Sequence, residues 1–425
     1  MQVGGSMSHK AKVIVFIGSF LIVLYGISAK FYGKVIAEDD GYKELSVFMD
    51  VLQRINEDYV EAPNMNDVQE GAMRGLINSL DPYSSFLSKE QYEALEKRRE
   101  NGNAGIGIIL SKRSDVIYVV SVEYDSAAAE AGIRPGDYVI AINGEGVEEK
   151  SIMEADSLLR GAPGEKVQLT VFRSGRSEPL NIEMAFSDHT STPVSHKMFD
   201  GKAGYLKVSS LANSSVEQAK FKLKTLISGG AESIVLDLRD CADGKPSAGA
   251  ELANFFIRNG IIYYSQNRQG EKIKIVEADP GTHITDLPLV VLINGSTADA
   301  AEIAAGALKD RKRATLVGEK SFGVGSEQAV IKLKSGAILI LSTAKYFTPD
   351  GKVIQDESAR KAGILPDIVA PDKEKRQDLA VESYYNGQDD DVAKYRELQE
   401  QINRIQLEKA LDILSRDAMP AKKAA

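Results

Sequence analysis

The chain has 425 residues, 43% of them hydrophobic and 27% charged, with a formal net charge of −9. That length exceeds one ordinary core and calls for two or three domains, and an acidic chain with no long basic block excludes a nucleic-acid groove. The single cysteine, Cys241, excludes an intrachain disulfide, and four scattered histidines form no His-x-x-x-His pair, so neither a metal nor a cofactor is expected.

Residues 1–37 read as a signal anchor and spacer. His9, Lys10 and Lys12 precede an apolar run, Val13–Ala29. The run falls between the length of a spanning helix, about 20 residues, and that of a signal peptide's apolar region, about 7–15. The positive flank keeps the N-terminus inside and sends the rest out. The expectation is an exported protein on the extracytoplasmic (periplasmic) face of the cytoplasmic membrane, held by a single-pass anchor. Cleavage after Ala29 or Ala37 is the alternative.

Residues 38–103 form an N-terminal helical segment. Leu45, Phe48, Met49, Leu52 and Ile55 recur at helical spacing within Tyr42–Val60. Met65–Leu80 reads as a second helix capped by Asn66 and ended by Pro82. Ser88–Asn101 is a third, opened by a Ser88/Gln91 capping box. Residues 104–186 are a small β-rich module, with short strands between glycine turns and two brief helices near Ser126–Ala131 and Ser151–Arg160. Residues 187–388 alternate strands with helices and so form an α/β core with a mixed sheet. Its continuous apolar strands, in SIVLDLRD and LPLVVLING, suit a sheet buried on both faces. Helices are expected at SVEQAKFKLKTLISGG, GAELANFFIRNG and AAEIAAGALKDR, and a hairpin at AVIKLKSGAILILS. Residues 389–425 hold a long helix and tail, with Tyr395, Leu398, Ile402 and Ile405 on one stripe. That stripe is read equally as a solvated appendage or as a docking face.

Seven motifs then stand in one order: LDPYSSFL (Leu80–Leu87), AGIGIIL (Ala104–Leu110), AGIRPGDYVIAING (Ala131–Gly144) together with LLRGAPGEKVQLTVFR (Leu158–Arg173), VLDLR (Val235–Arg239), LVGEKSFGVGSEQ (Leu316–Gln328), KYFTPDGKVIQ (Lys345–Gln355) and GILPDI (Gly363–Ile368). In this order they resemble the C-terminal processing peptidases, or tail-specific proteases, over nearly everything after the anchor. The β-rich module is then a PDZ domain, which takes a peptide as an added strand and cradles its terminal carboxylate with loop amides. The resemblance assigns peptide binding to Gly105, Ile106, Gly107 and Ile108, with Leu158 and Leu159 from the following helix. Protein or peptide C-termini are the expected partners.

The resembled family attacks the peptide carbonyl with a serine, deprotonated by a buried neutral lysine, and holds the oxyanion on backbone amides. In register, the serine position falls on Asp299, the lysine position on Val324, and the family's glutamine on Gln328. The oxyanion region maps to Gly244 and Ala300, but the family's Asn-Pro-Gly-Gly turn is here Cys241-Ala242-Asp243-Gly244. Nucleophile and base are both replaced, so no catalytic residue is assigned. Asp299 fits instead as a helix cap with Glu302 at the third helical position. Ser296 or Thr297 as a displaced nucleophile, Lys320 and Ser321 as its neighbours, and a carboxylate pair of Asp299 with Asp240 or Asp243 are weaker alternatives. The function expected is that of a non-catalytic binder of protein C-termini, an adaptor or the regulator of a partner protease. The rival reading is an active serine-type endopeptidase.

Overall fold

The computed structural model describes residues 39–101, 104–113, 116–188, 193–200, 202–356, 361–372 and 392–417. The run Val13–Ala29, and with it the expected anchor, lies outside them. Among the described residues no helix is long and apolar enough to cross a membrane.

The chain divides into two units, residues 1–73 and residues 74–425. The first holds the helix Asp39–Asp58 and the start of the helix Met65–Asn78. Leu45, Met49, Leu52 and Met65 line a shallow groove there. The second helix begins one residue before its expected cap. Asn64, not Asn66, takes that role, accepting the Asn66 N–H at 3.1 Å.

The second unit is built on a six-stranded sheet. In spatial order its strands are Ile368–Val369, Thr315–Gly318, Leu289–Ile293, Ser233–Asp237, Ala203–Val208 and Val194–Phe199. All neighbours are parallel except the last pair. Every residue of Ser233–Asp237 and of Leu289–Ile293 is buried, as continuous apolar strands demand. The helices Ser215–Ser228, Pro246–Asn254 and Ala300–Asp310 supply one side of the main core. The helix Val392–Asp417 covers the opposite face, where Ala410 and Leu414 pack on Val235, Val290, Leu292 and Val317. The docking reading of that helix therefore holds, on a stripe rotated from the expected one. The helix expected at GAELANFFIRNG starts earlier, with Pro246 in its first turn, and stops at Asn254. Phe255 and Phe256 are needed instead in the core, at 0% and 1% exposure.

A second sheet pairs Ile338–Phe347 with Ser85–Leu87, Ile261–Gln266 and Ser326–Lys332, and adds Lys272–Glu277 at its edge. It ties the entry segment to the core. Asp81 accepts the N–H groups of Tyr83 and Ser84, and the hydroxyls of Ser84 and Ser342. The next helix, Lys89–Asn101, starts with the expected capping box, since Ser88 and Gln91 exchange hydrogen bonds.

The β-rich module is a six-stranded antiparallel sheet with two short helices, Ala127–Glu130 and Ile152–Leu158. Asp137, 1% exposed at its side chain, holds Arg173 through two hydrogen bonds of 2.7 Å. Arg173 also donates to the Gly132 carbonyl. This pair fixes the loop Gly132–Asp137 to the frame of the module.

Two helices of the core meet at one point. A Cβ on Gly249 would stand 2.0 Å from the Ala300 carbonyl oxygen. Only glycine permits this approach, and it brings the start of Ala300–Asp310 against the start of Pro246–Asn254. Gly249→Ala is expected to lower stability by about 1–3 kcal/mol through overpacking, measured as a fall in the denaturant midpoint at unchanged slope.

Candidate functional site

Three connections leave the carboxyl ends of adjacent parallel strands: 238–245 after Ser233–Asp237, 294–299 after Leu289–Ile293, and 319–325 after Thr315–Gly318. In open α/β sheets ligands bind in the crevice there. Short bonds lock the three together. Ala298 N–H donates to the Cys241 carbonyl at 2.9 Å, and Phe322 N–H donates to the Thr297 carbonyl at 2.9 Å. Asn294 and Asp240 exchange two bonds, at 2.8 and 3.1 Å.

Asp299 ends the second connection and precedes the helix. Its backbone lies at φ 52° and ψ −120°, a region that costs a non-glycine residue about 1–3 kcal/mol. Asp299 therefore stands at the expected cap position with the expected Glu302 back-bond, but not with the extended backbone a capping residue ordinarily takes. The Glu302 N–H is donated to the Asp299 carbonyl at 3.0 Å, and the Asp299 carboxylate approaches it without a well-formed hydrogen bond. Burial, and then the charge of Asp243, push the Asp299 carboxyl up to about 7.

Glu302 does what the sequence reading gave to Asp299, and more. It is 0% exposed. It accepts the Asp299 N–H at 3.2 Å, the Ser321 hydroxyl at 2.5 Å, and the N–H groups of Gly323 and Val324 at 2.8 Å each. One carboxylate thus joins the helix start to the loop that carries position 324. Burial pushes its carboxyl up to about 8, against the opposing pull of those donors. Ser321 also accepts the Ile364 N–H. It is a structural link rather than a spare nucleophile.

The altered turn is equally committed. Cys241 is fully buried and burial pushes its thiol well up, so it is a core residue and not a reactive one. Asp243 accepts the Ser210 hydroxyl at 2.7 Å and the Leu211 N–H at 2.8 Å. Burial pushes its carboxyl up in spite of them. Asp243 and Asp299 therefore feel each other's charge, but both oxygens of Asp243 are turned to the Ser210 loop. Asp240 is engaged by Asn294. A proton-sharing pair of the aspartic type needs a direct bond between the carboxyls, and among the described residues none forms. Gly244, at φ 103°, packs so tightly on Leu211 that a Cβ would stand 2.6 Å from its Cβ.

Val324, which the resemblance aligns with the base, has a side chain that offers no proton acceptor. Gln328 donates to Ser326 at 2.7 Å. Thr297, 0% exposed, donates its hydroxyl to the Leu238 carbonyl at 2.8 Å, and Ser296 gives its N–H to Asn294. Among the described residues neither hydroxyl is hydrogen-bonded to a lysine, histidine or carboxylate.

The β-rich module covers this site. Val120, Ile109 and Tyr118 of its sheet pack on Ala242, Ala298 and Phe322. The Tyr118 and Phe322 rings lie 5.6 Å apart, and Ser121 donates to the Asp240 carbonyl at 2.8 Å. The strand Ile108–Arg113, which follows the expected peptide-binding glycines, and the helix Ile152–Leu158 are themselves packed against other parts of the chain. Ser111 and Lys112 are 2% and 4% exposed, Tyr83 bonds Ser111, and Met153 packs on the cluster of Leu87, Leu95, Ile338 and Ile340. Ile106 and Leu159 are buried in the module's core, with Ile108 and Leu158 half-buried beside them. Gly107, at φ 78°, admits no side chain, since a Cβ would meet that of Ser126 at 2.1 Å. Gly105 bridges to Ser187.

Sequence reading placed Asp299, Val324, Ala300 and Gly244 in one neighbourhood, and the structure assembles them. It missed the hub role of Glu302 and Ser321, although a glutamate amid eight apolar or glycine residues of AAEIAAGAL was a signal. It missed Ser121, Tyr118 and Phe322, which meet only because two domains touch.

Comparison with known proteins places two families on the chain. A model described as Peptidase family S41 matches residues 202–370, and one described as PDZ domain matches residues 104–184. A carboxy-terminal-processing protease of Bartonella bacilliformis is 32% identical over 352 residues, covering 81% of this chain and 80% of that one. The carboxy-terminal processing protease CtpA of Bacillus subtilis is 32% identical over 343 residues, 79% of this chain and 72% of its own. Among solved structures, the photosystem II D1 C-terminal processing protease is similar with a TM-score of 0.63 at 25% identity, over 76% of this chain and 92% of that one.

The raised carboxyls at Asp299 and Glu302 give a pH prediction. A group held above its unfolded value stabilises the fold fully below about pH 4 and loses that contribution as pH rises through its folded value. Wild-type stability is therefore expected to fall between about pH 4 and 8. Asp299→Asn keeps the backbone preference and removes the charge. Its melting temperature should exceed that of wild type at pH 8, by the equivalent of about 1–2 kcal/mol given the residue's partial exposure, and match it near pH 4. Parallel melting curves for the two proteins across that range would refute the placement of a desolvated carboxyl at 299.

Proposed function

The chain belongs to the carboxy-terminal-processing protease family, within peptidase family S41, and we propose that it is an exported, non-catalytic member that binds protein C-termini through its PDZ domain. It would serve as an adaptor or as the regulator of a partner protease.

The observation that carries this reading is the pair at positions 299 and 324. A carboxylate and an isopropyl group stand where acyl transfer needs a nucleophile and a base. The like charge of Asp299 also opposes the negative charge that an oxyanion develops. The turn Cys241–Gly244, committed to Leu211 and Ser210, adds a third departure. Backbone strain at 299 and the buried glutamate support the shape of a catalytic elbow without its chemistry. Binding at the PDZ groove uses main-chain bonds and a carboxylate cradle, and none of these departures touches it. Export rests on the Lys10/Lys12 flank of the Val13–Ala29 run.

Side-by-side cleavage and binding assays on one preparation of the full chain test the proposal. Unstructured peptides should bind through a free apolar C-terminus, bind much more weakly as C-terminal amides, and remain uncut. Asp299→Ser with Val324→Lys should restore little activity, because the oxyanion turn is still altered and one such donor is typically worth about 10²–10³ in rate. Wild-type cleavage that is abolished by a serine-reactive phosphonate, or by Asp299→Ala at unchanged melting temperature, would establish the rival reading of an enzyme. Fusing the first forty residues to a reporter active only outside the cytoplasm should give signal. A reporter working only in the cytoplasm at that junction would sink the export claim.

A further inference from the structure

The helix Val392–Asp417 is anchored at one end and reaches across a seam at the other. Its anchor is strong. Arg239, held by the buried Asp237 at 2.5 Å, donates to the Asn403 carbonyl, the Asn403 side chain and Gln406 at 2.9–3.0 Å. Gln406 is 0% exposed and donates to the Ala370 carbonyl. Ala410 and Leu414 then seat on the parallel sheet.

Its first turns touch the PDZ domain instead. Arg134 lies 4.4 Å above the Tyr395 ring. Tyr124 donates to Glu400 at 3.3 Å. Val392 stands so close to Gly132 that a Cβ there would be 2.9 Å from its Cγ2. Gly132 and Arg134 belong to the loop that Asp137 and Arg173 fix to the domain frame. Val392, Tyr395, Asn403, Gln406 and Ala410 share one helical stripe, so a single helix face binds both domains. A cavity of about 280 Å³ opens between them, bordered by Arg134, Lys207, Asp240 and Tyr395. Between helix and PDZ domain the contacts described are a cation over a ring, a hydrogen bond and an apolar touch, beside the packed patch at Ala242, Ala298 and Phe322.

We propose that this helix is a latch that holds the PDZ domain closed over the Asp299 site and so sets the affinity of the chain for peptide C-termini. The inference rests on the peptide-binding reading above and supplies its regulation. A peptide strand adds to Ile108–Arg113 only once Ile109, Ser111 and Lys112 come away from the core and the entry segment. Apparent affinity is the intrinsic affinity reduced by the fraction of open molecules. Contacts that stabilise only the closed form lower that fraction. Those of Tyr395, Glu400 and Val392 are of this kind, because they join the anchored helix to the moving domain.

The test uses the full chain. Binding of a fluorescent decapeptide ending in a free valine carboxylate is measured by anisotropy. Hydrogen exchange is followed in Asp240–Asp243 and Ser296–Asp299, which the closed domain covers. Tyr395→Ala should bind about 3- to 30-fold more tightly and exchange faster at both segments, while Tyr395→Phe, which keeps the ring under Arg134, should behave as wild type. Should Tyr395→Ala fail to fold by circular dichroism, Val392→Ala with Glu400→Ala gives the same readout from less buried positions. Wild-type affinity and wild-type exchange in a folded variant would overturn the latch. If no protein binds the peptide, exchange decides alone: faster exchange upholds the latch while removing the peptide reading, and unchanged exchange removes the latch.

Discussion

The structure of the site depends on one buried carboxylate. Glu302 has no contact with water, yet it gathers four donors from two connections of the sheet. A buried carboxylate is costly unless each lone pair is used, and here the donors are backbone N–H groups and a hydroxyl that would otherwise be orphaned. The cost and its relief are thus local to one joint. They fix the direction of the helix start, hence the forced backbone of Asp299, and they fix the loop that presents Val324. The joint serves geometry, and it survives whatever stands at 299 and 324.

A second constraint acts at longer range. Asp237 ends the central strand and pairs with Arg239. Burial would push its carboxyl up, but the arginine's charge and hydrogen bonds hold it below the usual range. The same arginine reaches the C-terminal helix, and the next residue, Asp240, opens the altered turn and receives a bond from the PDZ domain. Three parts of the second unit therefore meet within three residues of one strand end.

Much of this was legible in the sequence. The strands SIVLD and LVVLI announced burial on both faces, and the capping box at Ser88 follows from local spacing that the fold does not contest. The neighbourhood of Asp299, Val324 and Gly244 was legible because motif order carries three-dimensional register. The failures share one cause. GAELANFFIRNG has helical periodicity throughout, but Phe255 and Phe256 contribute more to the core than to a longer helix. Asp299 is a good capping residue by type, but tertiary closure around Glu302 forces a backbone that capping does not use. The strand Ile261–Gln266 finds its sheet through long-range pairing with Ile338–Phe347, and Lys272–Glu277 joins only by pairing with Ile261–Gln266. Contacts across the domain seam, such as Tyr118 with Phe322, leave no local periodicity to read.

The close approach at Gly249 has a consequence for charge. Pro246–Asn254 and Ala300–Asp310 meet start to start, so the positive ends of two helix dipoles converge on the ground between Asp243 and Asp299. Such ends favour negative charge. In an acyl-transfer enzyme that field would await the charge of a substrate. Here the chain supplies the charge itself, through a side chain tethered at the spot. Burial pushes that carboxyl up to about 7, so above that pH the site carries its own tethered anion, which any other anion must displace or neutralise.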